Sequence, residues 1–162
     1  MATVNPIERK PIERFYQEHA DSVYAFLVSL CRDATWAEDL MQDTFVKATR
    51  SMSGYRGGNP RSWLFTIARS VFIDETRRRP AIPVGEIEET GVADPDITER
   101  MLIERTLSKL PERQRTALLL TDKVGLSYAE VAEAIGCSIA AVRVLIYRAR
   151  VSFRAHYTET NL

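Results

Sequence analysis

The sequence predicts an all-α chain: two small helical domains joined by a flexible acidic linker. Three observations carry that reading. Apolar residues recur at helical spacing along most of the chain, the pattern of helices with one buried face. Glycine and proline gather in two stretches, SGYRGGNPRS at residues 53–62 and PAIPVGEIEETGVADPD at residues 80–96, where no regular element survives. Charge is partitioned too. Residues 1–79 carry 12 basic and 10 acidic side chains, residues 80–97 carry none and 5, and residues 98–162 carry 10 and 7. The net charge of zero therefore conceals two mildly basic blocks around an acidic connector. In a chain of 162 residues each half is near the size where a single core becomes marginal.

The expected order is an N-terminal tail (1–10), a first domain (11–79), the linker (80–96), a second domain (97–157) and a C-terminal tail (158–162). Helix one runs from Pro11 to about Cys31, with Ile12, Phe15, Tyr16, His19, Val23, Phe26, Leu27 and Leu30 on its apolar side. His19 there reads as a core-edge histidine with its hydrogen bonds met, not as a ligand. Helix two begins at Thr35, and Glu38 completes a capping box. Its Trp36, Leu40, Phe45 and Ala48 suit contact with helix one. Asp39, Gln42 and Asp43 are neighbours on the opposite face. On physics alone that stripe is a solvated face, with a docking surface as the alternative.

Helix three spans about Pro60 to Arg79. Leu64, Ala68 and Val71 form its deeper face, and Ser62, Thr66, Arg69, Ser70 and Arg77 lie on another. Trp63, Phe65 and Phe72 add aromatic surface, although Trp63 and Phe72 also read as plain core. Arg56, Arg61, Arg69 and Arg77–Arg79 supply charge. Arginine beside aromatic rings and a Gly/Asn loop suits single-stranded DNA, because cations track phosphates and a loop can clasp an unstacked base. The linker, stretched out, spans roughly 55 Å. That exceeds one turn of duplex, about 34 Å.

The second domain opens with Asp94 as a cap and Pro95 as first helical residue. Ile97, Met101 and Leu110 pattern one helix. Pro111 starts another, whose run Ala117–Leu120 must lie in deep core. Then comes SYAEVAEAIGCSIAAVRVLIYRARVSFR, residues 127–154. Ser127 and Glu130 form a capping box, with Leu126 and Val131 as a hydrophobic staple. Gly136 ends that helix in the left-handed conformation, and Ser138 caps the next. Val142, Leu145, Ile146, Ala149 and Phe153 form the buried stripe. Arg143, Arg150 and Arg154 lie on another stripe beside Tyr147 and Arg148, and no acid occurs between Ile139 and Tyr157. This is a helix-turn-helix pattern, whose second helix enters a DNA major groove. The plainer alternative is a basic, solvated helix of an all-helical core.

Other classes are disfavoured. Cys31 and Cys137 lack disulfide-framework or metal spacing, so no metal and no cofactor are expected. No helix pairs histidine with carboxylates at ligand spacing, and no glycine loop leads into a phosphate-binding lysine, so neither an enzyme nor a small-molecule substrate is expected. No apolar run reaches membrane length, and MATVNPIERK does not read as a signal peptide. The expectation is a cytoplasmic protein that is not itself membrane-inserted.

Four segments in this order, AEDLMQDTF, PRSWLFTIARSVFIDETRRR, LPERQRTALLL and GLSYAEVAEAIGCSIAAVRVLIYRAR, resemble the extracytoplasmic-function group of the bacterial sigma-70 family. The resemblance covers about Ile12–Arg79 and Ile97–Arg154. It implies a promoter-specificity factor for RNA polymerase core, with promoter DNA and an anti-sigma factor as further partners. Asp39, Gln42 and Asp43 would dock on the clamp helices of the largest polymerase subunit. Asn59 and its loop, with Arg61, Arg69, Ser70 and Arg77, would hold non-template bases of the −10 element out of the stack. Ser138, Ala140, Ala141, Arg143, Val144, Tyr147 and Arg148 would read the −35 element as duplex. The acidic linker would thread the polymerase's RNA path. Two departures from the family pattern stand out. Ser70 occupies a position where asparagine is usual. The recognition helix reads AAVRVLIYRAR where the family reads like GTVKSRLxRAR, so that Val144 and Leu145 replace serine and arginine. The stripe Ala140, Val144, Tyr147 and Val151 is consequently apolar, fit either for thymine methyls or for a covering regulator. The rival readings are an autonomous helix-turn-helix regulator independent of polymerase and a purely protein-binding helical adaptor.

Overall fold

The computed structural model describes residues 6–55, 57–79 and 95–161. Among them are α-helices and no strand. The first module holds α1 (Pro6–Cys31), α2 (Ala34–Ser51) and α3 (Pro60–Arg78). The second holds α4 (Pro95–Ser108), α5 (Glu112–Leu118), α6 (Tyr128–Ile135) and α7 (Ile139–Thr160). The expected linker up to Asp94, the Asp94 cap, Arg56 and residues 1–5 lie outside the described residues. Pro95 is the first residue of α4, as its fixed φ favours.

Both expected tails are shorter than the sequence suggests. α1 already covers Pro6–Lys10 of the expected N-terminal tail, and α7 continues to Thr160. The start of α2 also differs. Arg32 adopts a left-handed φ of 54° that stops α1. Asp33 then lies in extended backbone and accepts a hydrogen bond from the Trp36 N–H at 3.0 Å. Asp33 is therefore the cap, and Thr35 lies inside the helix. The two residues compete for one role, and the one that follows the chain reversal takes it.

In the first module Val23, Phe26, Leu27, Leu40, Ala48, Leu64 and Ala68 are fully or almost fully buried. Phe65 meets Phe26 edge to face, with centroids 5.3 Å apart. Phe65 and Phe72 are thus core residues and offer no stacking surface. Trp36 packs on Phe72, and the Arg79 guanidinium covers its ring at 4.2 Å. His19 sits at the core edge against Phe15, where burial lowers its pKa.

In the second module Ala117, Leu118, Leu119 and Leu120 are all buried, as expected. Ile97 is exposed and Leu110 lies beyond the end of α4, so neither builds the buried face of that helix. After α5 the chain widens into a π-helical segment, Leu119–Val124, ended by left-handed Gly125. The Ser127–Glu130 capping box is complete in both directions, Gly136 has φ 78°, and the Ser138 hydroxyl accepts from the Ala141 N–H. Such caps contribute about 1 kcal/mol each. Leu126 and Val131 are buried beside the box. Val142, Ile146 and Ala149 are buried on α7, with Leu145 and Phe153 partly buried beside them.

The modules pack against each other, with α3 against α6 and α1 against α4, α5 and the π-helical segment. Polar groups stitch the joint. Ser29 Oγ donates to Glu104 at 3.1 Å, Lys123 Nζ donates to Ser29 Oγ at 2.8 Å, and Arg32 donates to Ser108 Oγ at 3.2 Å.

Candidate nucleic-acid interface

Asn59 and Pro60 set the geometry of the first site. Asn59 caps α3, its Oδ1 accepting from the Arg61 N–H at 2.9 Å, and proline at the first turn forfeits no needed donor. The loop before it turns on Gly57 and Gly58, with φ of 88° and 94°, a conformation strained for any other side chain here. The Tyr55 hydroxyl donates to the Gly58 carbonyl at 2.8 Å and holds the loop closed. The Trp63 ring lies 5.0 Å from that of Tyr55 and 6.2 Å from that of Phe15.

A recess of about 270 Å³ results, lined by the glycines, Tyr55, Asn59, Ser62 and Trp63 together with Glu130 and Glu133 of α6. Ser62 is 3% exposed, and its hydroxyl has no hydrogen-bond partner among the described residues. A buried polar group without a partner is costly unless something supplies one. Two aromatic rings line the recess, and the Ser62 hydroxyl is buried in its wall. Sequence reasoning placed Ser62 on a polar face and missed Tyr55. The only available signal was the run of aromatic and glycine residues in 53–63.

Two of the arginines expected beside this recess, Arg61 and Arg69, are held by the second module. Arg61 donates to the Val124 carbonyl, and Asn59 Nδ2 donates to Glu130. Arg69 pairs with Glu112 at 3.3 Å, both groups being mostly covered, while its Nε is buried without a partner among the described residues. Glu130 is held below the usual carboxylate pKa, first by the Ser127 N–H and then by the Ser127 hydroxyl and Asn59, with the Arg61 charge adding to them. Ser70 accepts from Lys47 at 3.3 Å, and Lys47 also lies 3.8 Å from Asp74. Arg77 is exposed at the far end of α3. The structure therefore groups Asn59, Arg61 and Arg69 along one joint and leaves Ser70 and Arg77 outside it.

On α2, Asp39, Gln42 and Asp43 are exposed, and none makes a hydrogen bond or ion pair among the described residues. Val46 is 49% exposed one turn on, an apolar member that the sequence reading left out.

On α7, Arg143, Val144, Tyr147 and Arg148 are exposed, as are Ser138 and Ala140, while Ala141 is half-buried. Arg143 and Arg148 hold no ion pair among the described residues, whereas Arg150 pairs with Asp122 at 3.1 Å. Cys31 is buried and Cys137 half-buried, both as free thiols. Among the described residues no helix is long and apolar enough to cross a membrane, and no cluster of ligating side chains is spaced for a metal ion.

Comparison with known proteins covers both modules. The profile of Sigma-70 region 2 matches residues 15–81, and that of Sigma-70 region 4 matches residues 100–152. The ECF RNA polymerase sigma factor SigM of Bacillus subtilis is 30% identical over 156 residues, covering 91% of this chain and 96% of its own. The RNA polymerase sigma factor YlaC of the same organism is 31% identical over 164 residues, covering 94% and 95%. Among solved structures, the sigma factor RpoE bound to the anti-sigma factor NepR, from Bartonella quintana, superposes with a TM-score of 0.76 at 25% identity over 92% of this chain and 98% of its own. CnrH bound to the cytosolic domain of CnrY gives 0.72 at 26% identity, over 91% and 87%.

Proposed function

The chain belongs to the extracytoplasmic-function group of the sigma-70 family, and from that premise we propose how its two modules divide promoter recognition. It is an RNA polymerase sigma factor: it binds core polymerase, recognises −35 and −10 elements and helps melt the promoter. It is proposed to catalyse nothing itself, to need no cofactor and to work in the cytoplasm. Agreement with both sigma regions, over nearly the whole length of SigM, favours this reading over an autonomous regulator.

In the first module the recess beside Asn59 takes one extruded base of the −10 element. The unpartnered Ser62 hydroxyl carries this assignment. Tyr55 and Trp63 offer ring faces, the Ser62 hydroxyl, buried in the described conformation, offers a hydrogen bond once the modules part, and Arg61 and Arg69 meet phosphates. Extruding a base costs a few kcal/mol, and stacking returns about 1–3 kcal/mol per base. The exposed stripe Asp39, Gln42 and Asp43 docks on core polymerase, with Val46 as its apolar anchor. α7 of the second module reads the −35 duplex through Ser138, Ala140, Ala141, Arg143, Val144, Tyr147 and Arg148. The acidic linker runs in the polymerase's RNA path.

The conformation described is the resting one. Glu130, Glu112 and the Val124 carbonyl hold the very groups that the melted strand needs. A joint stitched by polar contacts is of the kind that separates readily. Core polymerase separates the modules, and an anti-sigma partner keeps them together. The two superposed sigma factors bound to anti-sigma partners support that last step. In vitro transcription with core polymerase on a promoter library tests the whole reading. Initiation at defined −35/−10 sites is expected, with weak DNA binding by the free chain. Tight, specific binding without polymerase would overturn it.

A further inference from the structure

We infer that α7 reads its −35 element chiefly through thymine methyl groups, with Val144 as the specificity-determining residue and Tyr147 beside it. This rests on the assignment of α7 to the −35 duplex and deepens it.

The argument begins with what the face lacks. From Ile139 to Arg148 the only side chains able to hydrogen-bond a base edge are Arg143, Tyr147 and Arg148. Ser138 already uses its hydroxyl oxygen as acceptor for the Ala141 N–H, at 3.1 Å. No amide or carboxylate is present to pair with adenine or cytosine. The exposed surface is instead apolar. Ile139 is 43% exposed, Val144 47%, Tyr147 71% and Val151 48%, with Ala140 between them at the amino-terminal end. A soluble helix with a buried stripe already provided by Val142, Ile146 and Ala149 has no packing use for a second one.

The surroundings identify the occupant. Arg143 and Arg148 flank the stripe without ion-pair partners among the described residues, and no acid occurs between Ile139 and Tyr157. A rim of cations around an apolar strip complements a polyanion whose grooves carry apolar features. In the major groove only one such feature distinguishes the bases, the 5-methyl group of thymine. Ala140 and Ala141 have no bulk to hold the helix start away from the groove floor, so Val144 and Tyr147, one and two turns on, can reach the base edges. Where the arginines meet phosphates they fix register without reading sequence, and where one reaches a base edge it reads guanine, not thymine.

The test uses the full chain assembled with core polymerase. A −35 element is first selected from a randomised library. Each of its thymines is then replaced by deoxyuridine, which lacks only the methyl group, and spacer thymines are replaced as controls. Loss of about fourfold in holoenzyme affinity is expected per contacted methyl, the worth of one buried methyl group, with no effect in the spacer. Val144→Ala should abolish that sensitivity, whereas Tyr147→Phe should keep it. Unchanged affinity with deoxyuridine, on a promoter that still requires its −35 element, would overturn the inference and leave the −35 assignment standing. Loss of anti-sigma binding by Val144→Ala with unchanged promoter binding would assign the stripe to a protein partner and overturn it as well. If neither Arg143→Ala nor Arg148→Ala changes −35-dependent binding, the assignment of α7 to DNA itself fails.

Discussion

Asn59, Arg61 and Arg69 in the first module each hold a partner from the second, whereas Arg143 and Arg148 on α7 hold none among the described residues. On the proposed assignment, one reading face is engaged and the other is open. The difference follows from what each must meet. A duplex is rigid, and a preformed helix with a cationic rim can meet it at any time. An unstacked strand exists only after melting, and arginines left bare until then would bind any single strand or RNA, since phosphate contact carries no sequence information. On the proposed reading, Glu112 holds the place of a phosphate at Arg69, and the Val124 carbonyl does so at Arg61.

The comparison can be broken most forcefully at the recess. Trp63→Ala should reduce stable open-complex formation by up to about 100-fold through lost base stacking, while holoenzyme binding to a closed −35 duplex stays unchanged. Equal loss at both elements would show that the ring supports the fold and not the base. A smaller effect of opposite sign is expected at the joint. Glu112→Gln should free Arg69 and raise the affinity of the isolated chain for a −10 single strand about fivefold, for a partly covered ion pair worth about 1 kcal/mol. Glu99→Gln, equal in charge change and outside the joint, should have no effect, and small-angle scattering should show a larger radius for the first variant alone.

On the open face, Arg148→Ala should lower the slope of log affinity against log salt by about one phosphate contact, near 0.9. An unchanged slope would remove Arg148 from the DNA. The subtlest effect concerns acid. The carboxyl of Glu130 has its pKa lowered from 4.5 in the folded chain. Its contribution to stability is therefore present above the unfolded-state value and is lost as pH falls through the lowered native one. Unfolding curves of the wild type and Glu130→Gln should differ near neutrality and converge below pH 4.5. A constant gap would mean that the charge itself does not contribute.

Local chemistry made the second module legible. Ser127, Glu130, Gly136 and Ser138 each act within four residues, so their roles are visible in the chain. The start of α2 was misread because Thr35 and Asp33 carry the same chemistry two residues apart, and only the reversal at Arg32 decides between them. Aromatic positions on α3 misled in another way. Phe65 and Trp63 lie two residues apart on a helix flanked by α1, and spacing does not tell which ring the neighbour buries. The joint was not legible at all, since the ion pair between Arg69 and Glu112 joins residues 43 apart, across the linker. The π-helical turn at Leu119–Val124, which brings the Val124 carbonyl to Arg61, left no pattern either.

Glu130 serves two masters with its two oxygens: Oε1 accepts from the Ser127 N–H at 3.0 Å and Oε2 from Asn59. Loss of this side chain would release Asn59 and also remove half of the capping box that starts α6, so the joint and the helix start are coupled at one residue. Glu112 and Lys123 carry no capping duty. Lineages that retune how readily the factor wakes should accumulate their differences there.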